Sequence, residues 1–238
     1  MRNFFNMDNP VFRTLGKLAD LMMLNIVFII CCIPIVTIGA SLTGLSYVTL
    51  KMAEDEDGYI VKAFFKSFRQ NFKQATIIWL IMLVIGCVLG LDLFILSQAS
   101  GTLANVFRIG ITATVFVYLM IMVYLFAVLA RFDNPVKITM KNALIMAIAD
   151  LPRTIVIMVI PVAAVIITML NAYTLVYGTL VWLLCGFSLV SYANCFFIKK
   201  VFAKYIPKEE ETDPDNWVLD EGDTTENPAS KGTNAGSV

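Results

Sequence analysis

The run Leu21–Leu50 (LMMLNIVFIICCIPIVTIGASLTGLSYVTL) lies between Asp20 and Lys51 and holds 30 residues without a charge. A helix crosses a bilayer with about 20 apolar residues, so this run is long for one span and short for two. Pro34 lies inside it, and proline breaks or kinks a helix. The segment Ile33–Ser41 therefore reads as a turn between two apolar arms, with Thr37, Gly39 and Ser41 lowering helix propensity there. The number of crossings in this run fixes the topology of everything after it.

Charge decides between one crossing and two. Basic residues cluster at Lys51, Lys62, Lys66, Arg69 and Lys73, at Arg131, Lys137, Lys141 and Arg153, and at Lys199, Lys200 and Lys204. By the positive-inside rule these three segments are cytoplasmic, while 97–107 (uncharged) and 171–176 are outside. Arg2, Arg13 and Lys17 put the N-terminus inside as well. The N-terminus and segment 51–74 share a side only if 21–50 goes in and comes back. Two short helices meeting near Pro34, roughly Leu15–Cys32 and Ile35–Lys51, meet that condition, with basic side chains snorkelling at the inner face. The alternative is five spans with the N-terminus outside.

The other spans follow from the spacing of charges. Arg108 and Arg131 enclose 22 uncharged residues, one span. Arg153 and Lys199 enclose 45, enough for two with a turn near Asn171–Tyr173. A further span runs over about Ala75–Leu96, interrupted only by Asp92. The expected fold is all-α: a polytopic transmembrane bundle of about six helices (five possible) with short interfacial amphipathic helices and both termini cytoplasmic.

Composition agrees. Of 238 residues, 58% are hydrophobic and 15% charged, and mean hydropathy is +0.77. Soluble domains run nearer 45–50% and about 25%. With no histidine, histidine-dependent triads and metal sites are excluded. The zero net charge conceals an asymmetry. Residues 1–206 hold sixteen of the eighteen basic residues and nine of the eighteen acidic ones, a net of +7. Residues 207–238 carry −7 and read as an acidic, disordered cytoplasmic tail after an integral membrane domain at 1–206. Basic loops facing anionic lipid account for the positive charge, so nucleic acid is not an expected partner. The first apolar run reads as a span rather than a cleaved signal.

Three stretches each run from mixed basic and apolar sequence into a span: Asn9–Leu21, Lys62–Ile77 and Ile138–Ile155. At an offset of 56 residues, Phe12-Arg13 aligns with Phe68-Arg69, Lys17 with Lys73 and Ala19 with Ala75. Each unit reads as an interfacial amphipathic helix followed by a helical hairpin. In the second, Phe64, Phe65, Phe68 and Phe72 form an apolar face, and Lys62, Lys66, Arg69 and Lys73 form the polar side of a helix in the headgroup plane.

Candidate chemistry is sparse. Asp92 is the one acid deep in an apolar run, and intramembrane acids are candidate functional groups. Its position near the outer end predicts pairing with Arg108 across the 97–107 loop; a proton or substrate role is the alternative. Asp20 and Asp150 are expected to pair with Arg13 and Arg153. Asn25, Ser188, Ser191, Tyr192 and Asn194 read as interhelical hydrogen-bonding groups. Cys31, Cys32, Cys87, Cys185 and Cys195 read as buried apolar thiols, with no CxxC pair. Glu54–Gly58 lacks the spacing of a calcium loop and reads as a solvated acidic turn. No nucleotide-binding or hydrolase motif is present. No catalytic, cofactor or metal site is expected. Trp217, in an apolar island of the tail, reads either as self-docking or as a short partner motif.

Asn9-Pro10, Phe12-Arg13, Leu15-Gly16, Asp20-Leu21, Leu24-Asn25 and Ile33–Ser41 are similar to the YesL-like family of bacterial membrane proteins. Gly58-Tyr59, Phe64–Phe68 and Asn71–Ala75 extend the likeness, which spans about residues 5–205 and is most specific through residue 80. The resemblance implies a Gram-positive membrane protein of unknown function, encoded beside carbohydrate ABC importers and sensor kinases. It implies an accessory role in sugar uptake and brings no catalytic residues with it. Lys62, Lys66, Arg69, Lys73 and Trp217 are then the candidate contacts with sugar permease subunits. A small autonomous transporter or channel, as a homo-oligomer or alone, with Asp92 or Arg108 on its path, is the alternative.

Overall fold

The computed structural model describes residues 10–55, 58–99, 101–132 and 134–204. Among them the fold is all-helical: α1 (Pro10–Cys32), α2 (Ile38–Ala53), α3 (Ile60–Gln98), α4 (Thr102–Arg131), α5 (Val136–Ala149), α6 (Leu151–Met169) and α7 (Ala172–Phe202). Six of these, all but α5, are long and apolar enough to cross a membrane. Residues 205–238, with Trp217 and the acidic tail, lie outside the described residues.

The decisive run goes in and returns. Helix α1 ends at Cys32, and Pro34 leads into a 3-10 turn at Ile35–Thr37. The Thr37 hydroxyl donates to the carbonyl of Cys31 at the C-terminus of α1 (2.6 Å) and lies 2.7 Å from the Pro34 carbonyl, which also accepts from the Thr37 amide at 3.1 Å. The arms close on each other at the far end. Arg13 and Lys17, at the start of α1, both bind Asp55, just past α2, at 3.0 and 2.7 Å. The five-span alternative would set these groups on opposite sides of the bundle.

Gly39 and Ser41 lie within α2 rather than in the turn. Gly39 is there because α3 approaches too closely for a side chain. A Cβ would come within 2.5 Å of the Ala75 carbonyl oxygen and 2.6 Å of the Trp79 Cβ. The turn is held to the same place on α3, where Trp79 Nε1 donates to the Ile35 carbonyl (2.9 Å).

The structure corrects the boundaries of two later elements. Helix α3 is one continuous helix of 39 residues, about 58 Å long at 1.5 Å per residue. The Lys62–Lys73 stretch is therefore its first third, not a separate helix turned into the headgroup plane. Neither Gly nor Pro occurs between Ile60 and Ile85, so nothing breaks the helix. The third unit does contain a breaker. Pro152, in the first turn of α6, and the non-helical Asp150 (φ −129°, ψ 53°) separate α5 from α6. A separate short helix thus precedes only that hairpin. At the other end of α3, the expected 97–107 loop contracts to the three residues between Gln98 and Thr102, and Gly101 takes φ +124°.

Three antiparallel hairpins result: α1–α2, α3–α4 and α6–α7. The aligned positions of the repeat do not share environments, however. Ala75 is fully buried against α2, whereas Ala19 is exposed.

The basic segments converge on the end of α2. Arg131 binds Glu54 at 3.1 Å, and Lys199 donates to the Ala53 carbonyl at 3.2 Å. This cation at the helix C-terminus opposes the negative end of the helix dipole. Glu54 and Asp55 are thus joints between α1, α2 and α4, not a merely solvated turn; Glu56 and Asp57 lie outside the described residues. Lys17 and Arg13 hold the Asp55 carboxyl below the usual carboxylate range, the hydrogen bond from Lys17 being the largest cause.

Candidate functional site

Polar residues inside the bundle gather on α7, where its hydrogen-bonding changes. Residues Trp182–Gly186 form a π segment within an otherwise α-helical span. Such a segment displaces carbonyls from their normal i−4 partners. Asn25, fully buried on α1, supplies the missing groups. Its Nδ2 donates to the carbonyls of Trp182 (3.0 Å) and Leu183 (2.8 Å), and its Oδ1 accepts from the Ser188 amide (3.1 Å). Ser188 Oγ donates back to the Leu21 carbonyl at 2.7 Å. One asparagine therefore satisfies a helix defect more than 150 residues away in sequence.

A second group lies nearer the basic face. Thr49 Oγ1 and Ser191 Oγ are 3.0 Å apart, Thr49 donates to the Leu45 carbonyl, and the Cys195 thiol donates to Thr49 Oγ1 at 3.2 Å. On the other side of the core, Tyr124 and Thr154 hydroxyls meet at 3.1 Å and tie α4 to α6. Asn25, Ser188 and Ser191 thus make the interhelical bonds expected of them.

Between these groups lies a cavity of about 380 Å³, walled by Phe28, Phe126, Pro161, Trp182 and Phe187 and by the polar Asn194. Asn194 Oδ1 is buried and has no hydrogen-bond partner. Pro161 interrupts α6 on one wall, and the π segment interrupts α7 on another. No charged residue lines the cavity. Among the described residues, no group of three or more Cys, Asp or Glu could hold a metal ion.

The residues singled out from sequence lie elsewhere. Arg108 is within α4, and its guanidinium donates to the carbonyls of Leu96 (3.0 Å) and Ala99 (3.4 Å). It therefore caps the C-terminus of α3 and does not pair with Asp92, which is half-buried on α3. Neither residue lines the cavity. Arg13 goes to Asp55 rather than to Asp20, whereas the Asp150–Arg153 pair forms as expected, at 2.6 Å. Of the cysteines, only Cys195 is buried, and Cys87 is exposed.

The α3 face is also divided differently. Phe64 is fully buried and Phe68 partly so, but Phe65 and Phe72 are exposed beside the exposed Lys62, Lys66, Arg69 and Lys73. Asn194, expected to bond between helices, instead keeps its buried Oδ1 without a partner, and the π segment carries no sequence signature.

These features define a multi-pass helical membrane protein. Its spans present Ile, Val, Leu and Phe outward, and Asn25, Ser41, Thr43, Thr49, Thr154 and Ser188 lie buried in the interior. A family model described as "Protein of unknown function, DUF624" matches residues 21–93, from α1 through most of α3. YesL-like proteins are members of that family, so the likeness holds over residues 21–93. No curated protein and no solved structure matches the chain.

Proposed function

We propose that the protein is a non-enzymatic accessory component of a bacterial carbohydrate ABC uptake system, seated in the plasma membrane with its basic face and both termini cytoplasmic. The observation that carries this reading is the exposed stripe of Lys62, Lys66, Arg69 and Lys73, flanked by Phe65 and Phe72. The stripe is held rigid because Phe64 and Ser67, on the opposite side of the same turns, are buried at 0% and 1% exposure. At about 58 Å, α3 is nearly twice the roughly 30 Å of a hydrocarbon core, so its basic third stands clear of the lipid tails. A rigid cationic ridge with aromatic anchors suits an acidic partner surface. The likeness to YesL-like proteins supports permease subunits as that partner, and the positive-inside rule supports the orientation.

The test is a gentle-detergent pull-down of the tagged protein from its native membrane, read by mass spectrometry. Sugar permease subunits should appear in near-stoichiometric yield. They should be lost when Lys62, Lys66, Arg69 and Lys73 are all changed to Glu. An isolated homo-oligomer would overturn the reading and favour transport by the protein itself. Asp92→Asn would then be the first variant to assay for flux in liposomes.

A further inference from the structure

We infer that the interior cavity is a binding site for a neutral hydrocarbon ligand carrying one hydrogen-bond donor, a long-chain alcohol or amide, with that donor on Asn194 Oδ1. Four observations converge, none of which depends on the docking ridge of α3.

The first is volume. About 380 Å³ falls within the roughly 300–1,000 Å³ of small-molecule sites. The second is the lining. Phe28, Phe126, Trp182 and Phe187 supply aromatic walls, and no charged residue is present, so an ionised ligand would be buried without a counter-charge.

The third is the unpaired acceptor. A buried amide oxygen without a partner is costly, most of all where no water reaches. Two of the neighbouring polar groups already have partners: Ser191 meets Thr49, and the Cys195 thiol donates to Thr49. A water needs about two to four polar partners, and this largely apolar lining offers it few besides Asn194 and the Ser46 hydroxyl. A ligand with a single donor and an apolar body satisfies Asn194 and fills the rest.

The fourth is helix irregularity. Pro161 removes an amide from the middle of α6, and the π segment displaces carbonyls in α7; Pro161 and Trp182 line this same cavity. Prolines and π segments cost helix stability and recur where helices make room for function. Val165 of α6 lines the cavity while remaining 46% exposed. Entry therefore runs sideways past α6, from the lipid.

Trp182 gives the site a built-in reporter. The protein in nanodiscs is titrated with a bromine-terminated long-chain alkanol and, separately, with the bromoalkane of equal length. The alkanol should quench tryptophan fluorescence saturably, the quenched component should be absent from Trp182→Phe, and the alkane should bind roughly two- to tenfold more weakly. Asn194→Leu should abolish the difference between the two probes. Val165→Phe, which narrows the entry without touching Asn194, should reduce quenching by both and covers the case in which Asn194→Leu does not fold.

Equal binding of alkanol and alkane by the wild type, or the same quenching in Trp182→Phe, overturns the proposal. Organic extraction of the purified protein then separates two sources. A retained bilayer lipid with a free hydroxyl identifies the membrane as supplier, and a free alcohol identifies a dedicated ligand. Because these readouts need no transporter subunit, they stand or fall apart from the pull-down.

Discussion

Helix α2 with its lead-in turn, Ile35–Ala53, and helix α6, Leu151–Met169, are spans of the same length, 19 residues each, yet they lie in opposite environments. In the most apolar window of each, 56% of the first is buried inside the protein but only 17% of the second. The buried span is the less apolar, carrying Thr37, Gly39, Ser41, Thr43, Gly44, Ser46 and Thr49. The exposed one is built of Ile, Val, Leu, Met, Ala and Pro, with only Arg153 and two threonines otherwise. A soluble protein would reverse this. In a bilayer, lipid tails solvate Ile and Val as well as another helix does. Association is therefore driven by close contact between small residues and by hydrogen bonds between helices. Between these two spans, polarity marks the one that lies inside.

The largest effect that tests this contrast lies on the polar side of the core. Asn25→Ala leaves the Trp182 and Leu183 carbonyls and the Ser188 amide without their partner, and at roughly 1 kcal/mol per interhelical bond it should cost about 2–3 kcal/mol. Reversible unfolding in mixed micelles would measure it. Gly39→Ala forces α2 off Ala75 and Trp79 and should cost about 1–3 kcal/mol by overpacking. A loss below 0.5 kcal/mol would mean that the two helices are free to separate.

Acid should act next, and locally. The Asp55 carboxyl is lowered by Lys17 and Arg13, so its stabilisation is complete above the ordinary aspartate value and fades as pH falls through the lowered one. Amide exchange at the start of α1 should accelerate only under strongly acidic conditions. Asp55→Asn should exchange faster at neutral pH and lose that acid dependence. High salt should mimic the substitution, because these pairs are exposed. The smallest effect belongs to α6. Val162→Ala, at a position 56% exposed, should change stability by no more than about 0.5 kcal/mol. A larger loss would show that α6 packs against something other than lipid.

Much of the fold was legible in particular residues. Pro34, in the 30-residue run, and the basic residues on both flanks favoured a helical hairpin and six spans over five. Asn171 was legible as a turn, and it caps α7 with Thr174 in a reciprocal pair of hydrogen bonds. The start of α3 was misread because amphipathic sequence reports which side of a helix is polar, not whether the helix bends where it meets the membrane. Only a breaker such as Pro152 reveals that. Arg108 was misassigned because its partners are backbone carbonyls, which carry no sequence signature.

The chain by itself determined its solvent and the face that gathers positive charge, and it favoured six crossings over five. These depend on apolar run length, on proline and on the cost of moving Lys and Arg across a bilayer, all local properties of the sequence. Tertiary structure alone decided which polar groups meet. Asp55 finds Arg13 at a separation of 42 residues, Glu54 finds Arg131 at 77 and Asn25 finds Trp182 at 157. Each match depends on how hairpins pack side by side; for Asn25, within the spans, hydrocarbon supplies no competing partner, whereas the Asp55 and Glu54 pairs form at the more exposed end of the bundle. Asn194 is the exception, buried beside a cavity with its acceptor unpaired, because packing brings no protein donor to it.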